Sequence, residues 1–150
     1  MLSRQLIIYF LLCLVSIVMV KEFTFRPTFF SGNGNPVILL FPFVFLTFLL
    51  FGIEWCLRLK RAAFQKQTWG AIFFISFALL IISTIFEFFF AKELLEQLGG
   101  PPTNIDSRIY RFPWLNQYTN TLYVNLYTFI LFVSVLTSVI SFFQWRKRKI

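Results

Sequence analysis

The sequence predicts an all-α fold. It reads as a polytopic membrane protein, a four-transmembrane-helix up-down bundle forming a single domain over residues 1–150, with both termini cytoplasmic. Three observations predict it. Only 13% of the 150 residues are charged, against about 25% in a typical soluble domain. The apolar residues, which lift the mean hydropathy to +0.75, gather in four blocks, three of them of a length suited to a hydrocarbon layer about 30 Å thick. Lysine and arginine are concentrated in the segments that such threading puts on one side.

The first block, LIIYFLLCLVSIVMV at residues 6–20, falls short of the roughly 20 residues that cross a bilayer. Arg4 before it gives it the look of a signal peptide. The following VMVKEF, however, contains no small-residue cleavage site. It is read as a retained span over about 5–21, with Gln5 and Lys21 extending their polar ends to the two surfaces.

The second span, about 36–57, has a defined start. Asn35 can cap the first backbone N–H groups and Pro36 suits the first helical position. Pro42 should kink the helix or leave a carbonyl free. The third span covers about 68–91. Its helical pattern continues through KELLEQL to about 98 and should stop at GGPP, where Gly99 can take a left-handed conformation. The fourth covers about 121–145, with Tyr118, Tyr123 and Tyr127 near its start and Trp145 at its end. Such amphipathic rings favour bilayer interfaces.

Charge sets the direction. Arg4, Arg58, Lys60, Arg61, Lys66, Arg146, Lys147, Arg148 and Lys149 share one side; Lys21, Arg26, Lys92, Arg108 and Arg111 take the other. Basic residues favour the cytoplasmic side, so both termini are placed there. The net charge of +8 is thus largely topological and gives no reason to expect nucleic acid as a partner. The terminal RKRKI run could also attract anionic lipid.

Each span carries a polar stripe at helical spacing: Tyr9, Cys13 and Ser16; Thr47, Glu54 and Arg58; Ser76, Ser83 and Glu87; and Tyr127, Ser134, Ser138 and Ser141 with Thr137 beside them. Hydroxyls and small residues mark surfaces where membrane helices approach and bond across, so Ser134, Ser138 and Ser141 are expected to serve helix packing. Glu54 precedes Arg58 by one turn, the favourable order for an ion pair. Trp69 to Glu87 spans about 27 Å of helix, which places Glu87 at the outer boundary, away from the midplane. There it is either a hydrogen-bonded anchor, with Lys21, Arg26, Arg108, Arg111 or the Tyr123 and Tyr127 hydroxyls as partners, or an acidic site facing outward.

Two outer segments remain. Residues 21–35, KEFTFRPTFFSGNGN, should lie along the interface and turn at SGNGN. Residues 99–120 hold Arg108, Tyr110, Arg111 and Trp114. That make-up suits membrane-surface anchors and partner-contact residues alike.

The absence of histidine removes His-ligated haem and zinc and His-based triads. Cys13 and Cys56 lie in different blocks and form no C-x-x-C motif. No phosphate-binding glycine motif, nucleophile elbow or zinc-protease motif occurs. The 23 phenylalanines are read as codon bias. No catalytic, cofactor or metal site is therefore expected. The expected role is a non-catalytic accessory, assembly or interaction partner of a larger membrane complex. The expected partners are the lipid bilayer and a membrane protein or further copies of the chain. A subunit of an oligomeric transporter or channel is the alternative, and a lipid-modifying enzyme using Glu87 or Asp106 a distant third. A bacterial cytoplasmic membrane suits the composition best.

Overall fold

The computed structural model describes residues 4–29 and 34–147. Helix α1 runs Arg4–Phe23. A 3₁₀ turn at Pro36–Leu40 leads into α2, Phe41–Arg61. Helix α3 is Lys66–Gln97, and a 3₁₀ turn at Asn120–Leu122 precedes α4, Leu126–Lys147. All four segments are long and apolar enough to cross a membrane.

Local chemistry explains the ends. The Asn35 side chain accepts a hydrogen bond from the Val37 N–H at 3.2 Å, as a cap should. Pro42 falls within the first two positions of α2, where a missing N–H breaks no helical bond. Its effect is therefore a change from 3₁₀ to α geometry at Phe41, not a kink inside a continuous helix. Helix α3, 32 residues or about 48 Å long, exceeds the hydrocarbon layer. It closes with two bonds, from Gly99 N–H to Glu96 O at 3.1 Å and from Gly100 N–H to Leu95 O at 2.8 Å. That pair defines a Schellman stop, which needs a left-handed residue after the cap; Gly99 has φ +81°.

Helix α4 begins four residues beyond Leu122, later than the sequence pattern suggested. Asn125 Oδ1 accepts from the Thr128 N–H at 2.9 Å, and Thr128 Oγ1 accepts from the Asn125 N–H at 2.9 Å. This reciprocal exchange is a capping box that fixes the start.

Residues of the polar stripes, or their neighbours, meet in pairs between adjacent helices. The principal seams are α1 with α2, α2 with α4, and α4 with α3. The order across the molecule is therefore α1–α2–α4–α3. One end is knit by Leu59, Trp69 and Ile140. The other is knit by Val20, Val37, Val44 and Val124. The described basic residues Arg4, Arg58, Lys60, Arg61, Lys66, Arg146 and Lys147 fall at the end where α1 begins, α4 ends and the 62–65 loop turns. Residues 31–33 of the expected turn and residues 148–150 of the basic tail lie outside the described residues.

Candidate functional site

Each seam is pinned by at least one hydrogen bond between polar stripe residues or their neighbours. Ser16 and Thr47 hydroxyls meet at 3.1 Å between α1 and α2. Trp55 Nε1 donates to Thr137 Oγ1 at 2.9 Å between α2 and α4. Ser76 and Ser138 hydroxyls meet at 2.8 Å between α3 and α4. Ser134, Ser138 and Ser141 are all buried. Ser141 Oγ turns back onto its own helix, donating to Thr137 O at 2.6 Å. Small residues let bulky ones close in: Gly52 faces the Phe132 ring and Gly70 the Trp145 indole.

Two carboxylates lie within the spans, near opposite ends. Glu54 pairs with Arg58 Nε at 2.8 Å on α2. Glu87 meets Asn125, a residue the sequence reading did not single out: Asn125 Nδ2 donates to Glu87 Oε2 at 2.7 Å. The same amide donates to Thr121 O at 2.8 Å while its oxygen caps α4. Asn125 therefore has every side-chain hydrogen-bonding group engaged. Glu87 is half-buried beside the N-terminus of α4, where the helix dipole favours negative charge. Phe86 and Tyr127 stack alongside, with ring centroids 5.7 Å apart. Among the described residues no basic side chain forms an ion pair with Glu87. Docking of the Glu87 carboxylate on the start of α4 accounts for the acid among the phenylalanines. The signal in the sequence was Asn125 followed by Thr128 at the head of an apolar run, which is a cap pattern.

The long loop is a folded cap. Leu98, Ile109 and Tyr118 form a buried core with Phe25 against it. Arg108 N–H bonds to Leu98 O at 2.9 Å, and Phe25 N–H bonds to Gln117 O at 2.9 Å. The Arg108 guanidinium donates to Pro27 O and the Tyr118 hydroxyl to Phe29 O at 3.0 Å. Asn35 and Asn120 exchange amide bonds at 2.7 and 3.0 Å, and Asn120 is fully buried. The 21–29 segment is thus strapped to the cap through its backbone.

The candidate contact residues divide. Arg108 is a strut within the cap. Tyr110 is half-buried, with the Arg111 guanidinium 5.0 Å from its ring centroid. Residues Arg111, Phe112, Pro113, Trp114 and Leu115 form an exposed ridge. Arg111 has φ +61°, the one non-glycine residue with positive φ among the described residues. Its N–H is held by Pro102 O at 3.0 Å. Asp106 lies exposed in the turn before the ridge, its N–H bonded to Asn104 Oδ1 at 3.2 Å.

Among the described residues no group of three Cys, Asp or Glu side chains gathers as metal ligands. The chain matches no family model, no curated protein and no solved structure.

Proposed function

We propose that this chain is a non-catalytic accessory or assembly subunit of a membrane complex. It would sit in a cell membrane, best suited to a bacterial cytoplasmic one, with both termini on the cytoplasmic side. The observation carrying this reading is the Arg111–Leu115 ridge: Trp114 is 49% and Phe112 41% exposed, yet both ride on a hydrogen-bonded cap at the end of a helix longer than the membrane. Arginine and large aromatics dominate the contact energy of protein interfaces, and a rigid platform lowers the ordering penalty of binding. The left-handed Arg111 adds weight, since strain of about 1–2 kcal/mol persists where surrounding structure enforces it for use.

The transporter or channel reading has less support. The hydroxyls of Ser16, Thr47, Ser76, Thr137, Ser138 and Ser141 are bonded to one another, to Trp55 or to helix carbonyls, which leaves few to line a path.

A photo-crosslinking residue at Trp114, introduced in native membranes, tests the proposal. The expected result is a discrete protein adduct, either a different chain or a second copy, that is absent when the crosslinker replaces Phe88 on the exposed side of α3. Protein-free adducts at Trp114 alone would remove the reading.

A further inference from the structure

Helix α1 packs on α2 and meets α4 around Phe129, where Leu6, Cys13 and Phe129 share one buried cluster and the Phe10 ring lies 6.0 Å from that of Phe129. Two separate cavities open along α1. The lower, about 460 Å³, is walled by Leu6, Ile7 and Phe10 of α1, and Ile130 and Val133 of α4 contribute to the opposite side. The upper, about 780 Å³, opens at the end bearing the cap. Its apolar walls include Ile17, Phe90, Leu94 and Leu126. A cavity of several hundred Å³ with apolar walls and a few polar groups is the usual form of a small-ligand site.

The mouth of the upper cavity carries Lys21, Glu22 and Arg26. All three are exposed, and none is in an ion pair among the described residues. Their balance is one net positive charge. Lys21 ends α1 at the edge of its apolar run, and Arg26 follows on the strapped segment. Phe25 N–H is fixed to Gln117 O, so Arg26 is held by a backbone anchored to the cap. The two cations thus stand where the apolar cavity meets the polar boundary. From Lys21 to Ile17 the α1 wall of the upper cavity is about 6 Å of helix, and Phe90 and Leu94 of α3 and Leu126 of α4 also line it.

We propose that the upper cavity is a binding site for one anionic phospholipid, with the phosphate-bearing headgroup between Lys21 and Arg26 and the first part of an acyl chain among Ile17, Phe90, Leu94 and Leu126. The charge at the mouth selects the headgroup. The apolar walls take the chain. The occupant bridges α1 to α3 and α4 at the cap end.

Native mass spectrometry of the full chain, released from micelles containing equal phosphatidylglycerol and phosphatidylcholine, tests the site. One net basic charge near a bilayer surface predicts a preference of about fivefold for the anionic lipid. The Lys21→Gln/Arg26→Gln variant should bring that ratio to parity or below. Lys60→Gln/Arg61→Gln, at the opposite end, should leave it unchanged. Ile17→Trp, which narrows the cavity without altering charge, should lower retention of both lipids. Equal retention of the two lipids by the native chain would overturn the proposal. So would a preference that survives the Lys21/Arg26 change, or one lost equally with Lys60 and Arg61, which would make the attraction one of overall charge.

Discussion

At the residue scale, the fate of each polar side chain in the spans depends on whether a partner lies within reach. Asn125 serves as cap to α4 and as donor to Glu87. Asn125→Ala should therefore lose both, lowering stability by about 1–2 kcal/mol, the range of a lost cap. Glu87→Gln keeps an acceptor for Asn125 and should change little. Glu87→Leu leaves the amide short of a partner and should destabilise by about 1–3 kcal/mol. Unfolding of the three variants in the same detergent gives the order; equal behaviour of the Gln and Leu variants would show that the hydrogen bond is not what holds Glu87 there. The indoles make a second contrast. Trp55 Nε1 bonds across to Thr137, whereas the fully buried Trp69 Nε1 has no partner among the described residues. Trp55→Phe should destabilise by about 0.6 kcal/mol, typical of interhelical bonds in membranes. Trp69→Phe forfeits no hydrogen bond but leaves a void in a fully buried site, so its cost is one of packing alone. The same denaturation series measures both, and a Trp55→Phe variant as stable as the native chain would contradict a role for the Trp55–Thr137 bond.

At the element scale, the helix ends marked by Asn35 and by GGPP were legible in the sequence, while the Asn125–Thr128 cap of α4 and the contacts between distant segments were not. Asn35, Pro36 and the GGPP stop each act within a few residues, so their roles follow from backbone hydrogen bonding alone. Gly99→Ala tests the stop: a Cβ at φ +81° would also stand 3.0 Å from Asp106 O, so a penalty of about 1–2 kcal/mol is expected. The cap core should loosen with it, seen as faster amide exchange at Ile109 and Tyr118. The polar stripes were equally readable, because burial of Ser76, Ser83, Ser134 and Ser138 follows helical periodicity. What periodicity does not carry is which stripe meets which. The pairing of Ser76 with Ser138, or of Asn35 with Asn120 across the loops, depends on the order α1–α2–α4–α3. Shape matters at the α2–α4 seam: an added Cβ at Gly52 would stand 2.8 Å from Phe132 Cζ and 3.3 Å from Leu136 Cδ1, so these side chains would have to shift. Gly52→Val should push them apart, weaken the Trp55–Thr137 bond and destabilise by about 1–3 kcal/mol, the range of overpacking. The cap was the least legible element. Its 22-residue stretch reads as turn residues and aromatics, and its core draws on Leu94, Leu95 and Leu98 of the preceding helix end and on Phe25, from a segment far away in the chain.

At the scale of the whole molecule, the threading proposed here follows from a charge difference between the two ends. Among the described residues, the end where α1 begins, α4 ends and the 62–65 loop turns holds seven basic residues, and the cap end five. Short basic loops are retained on the cytoplasmic side, and acidic residues influence this choice little. Glu22, Glu93, Glu96 and Asp106 at the cap end therefore do not weaken the bias. The seven basic residues described at the other end are spread over Arg4, the end of α2, the start of α3 and the end of α4, so every crossing is steered the same way and no single helix decides. With Cys13 and Cys56 first replaced by alanine, Ala62→Cys and Asn104→Cys provide reporters at the two ends. An impermeant maleimide applied to intact cells should label position 104 and reach position 62 only after the membrane is opened. Labelling of position 62 alone in intact cells would invert the molecule. The Arg111–Leu115 ridge would then face the cytoplasm, where any contact it makes would be with a cytoplasmic or cytoplasm-facing partner.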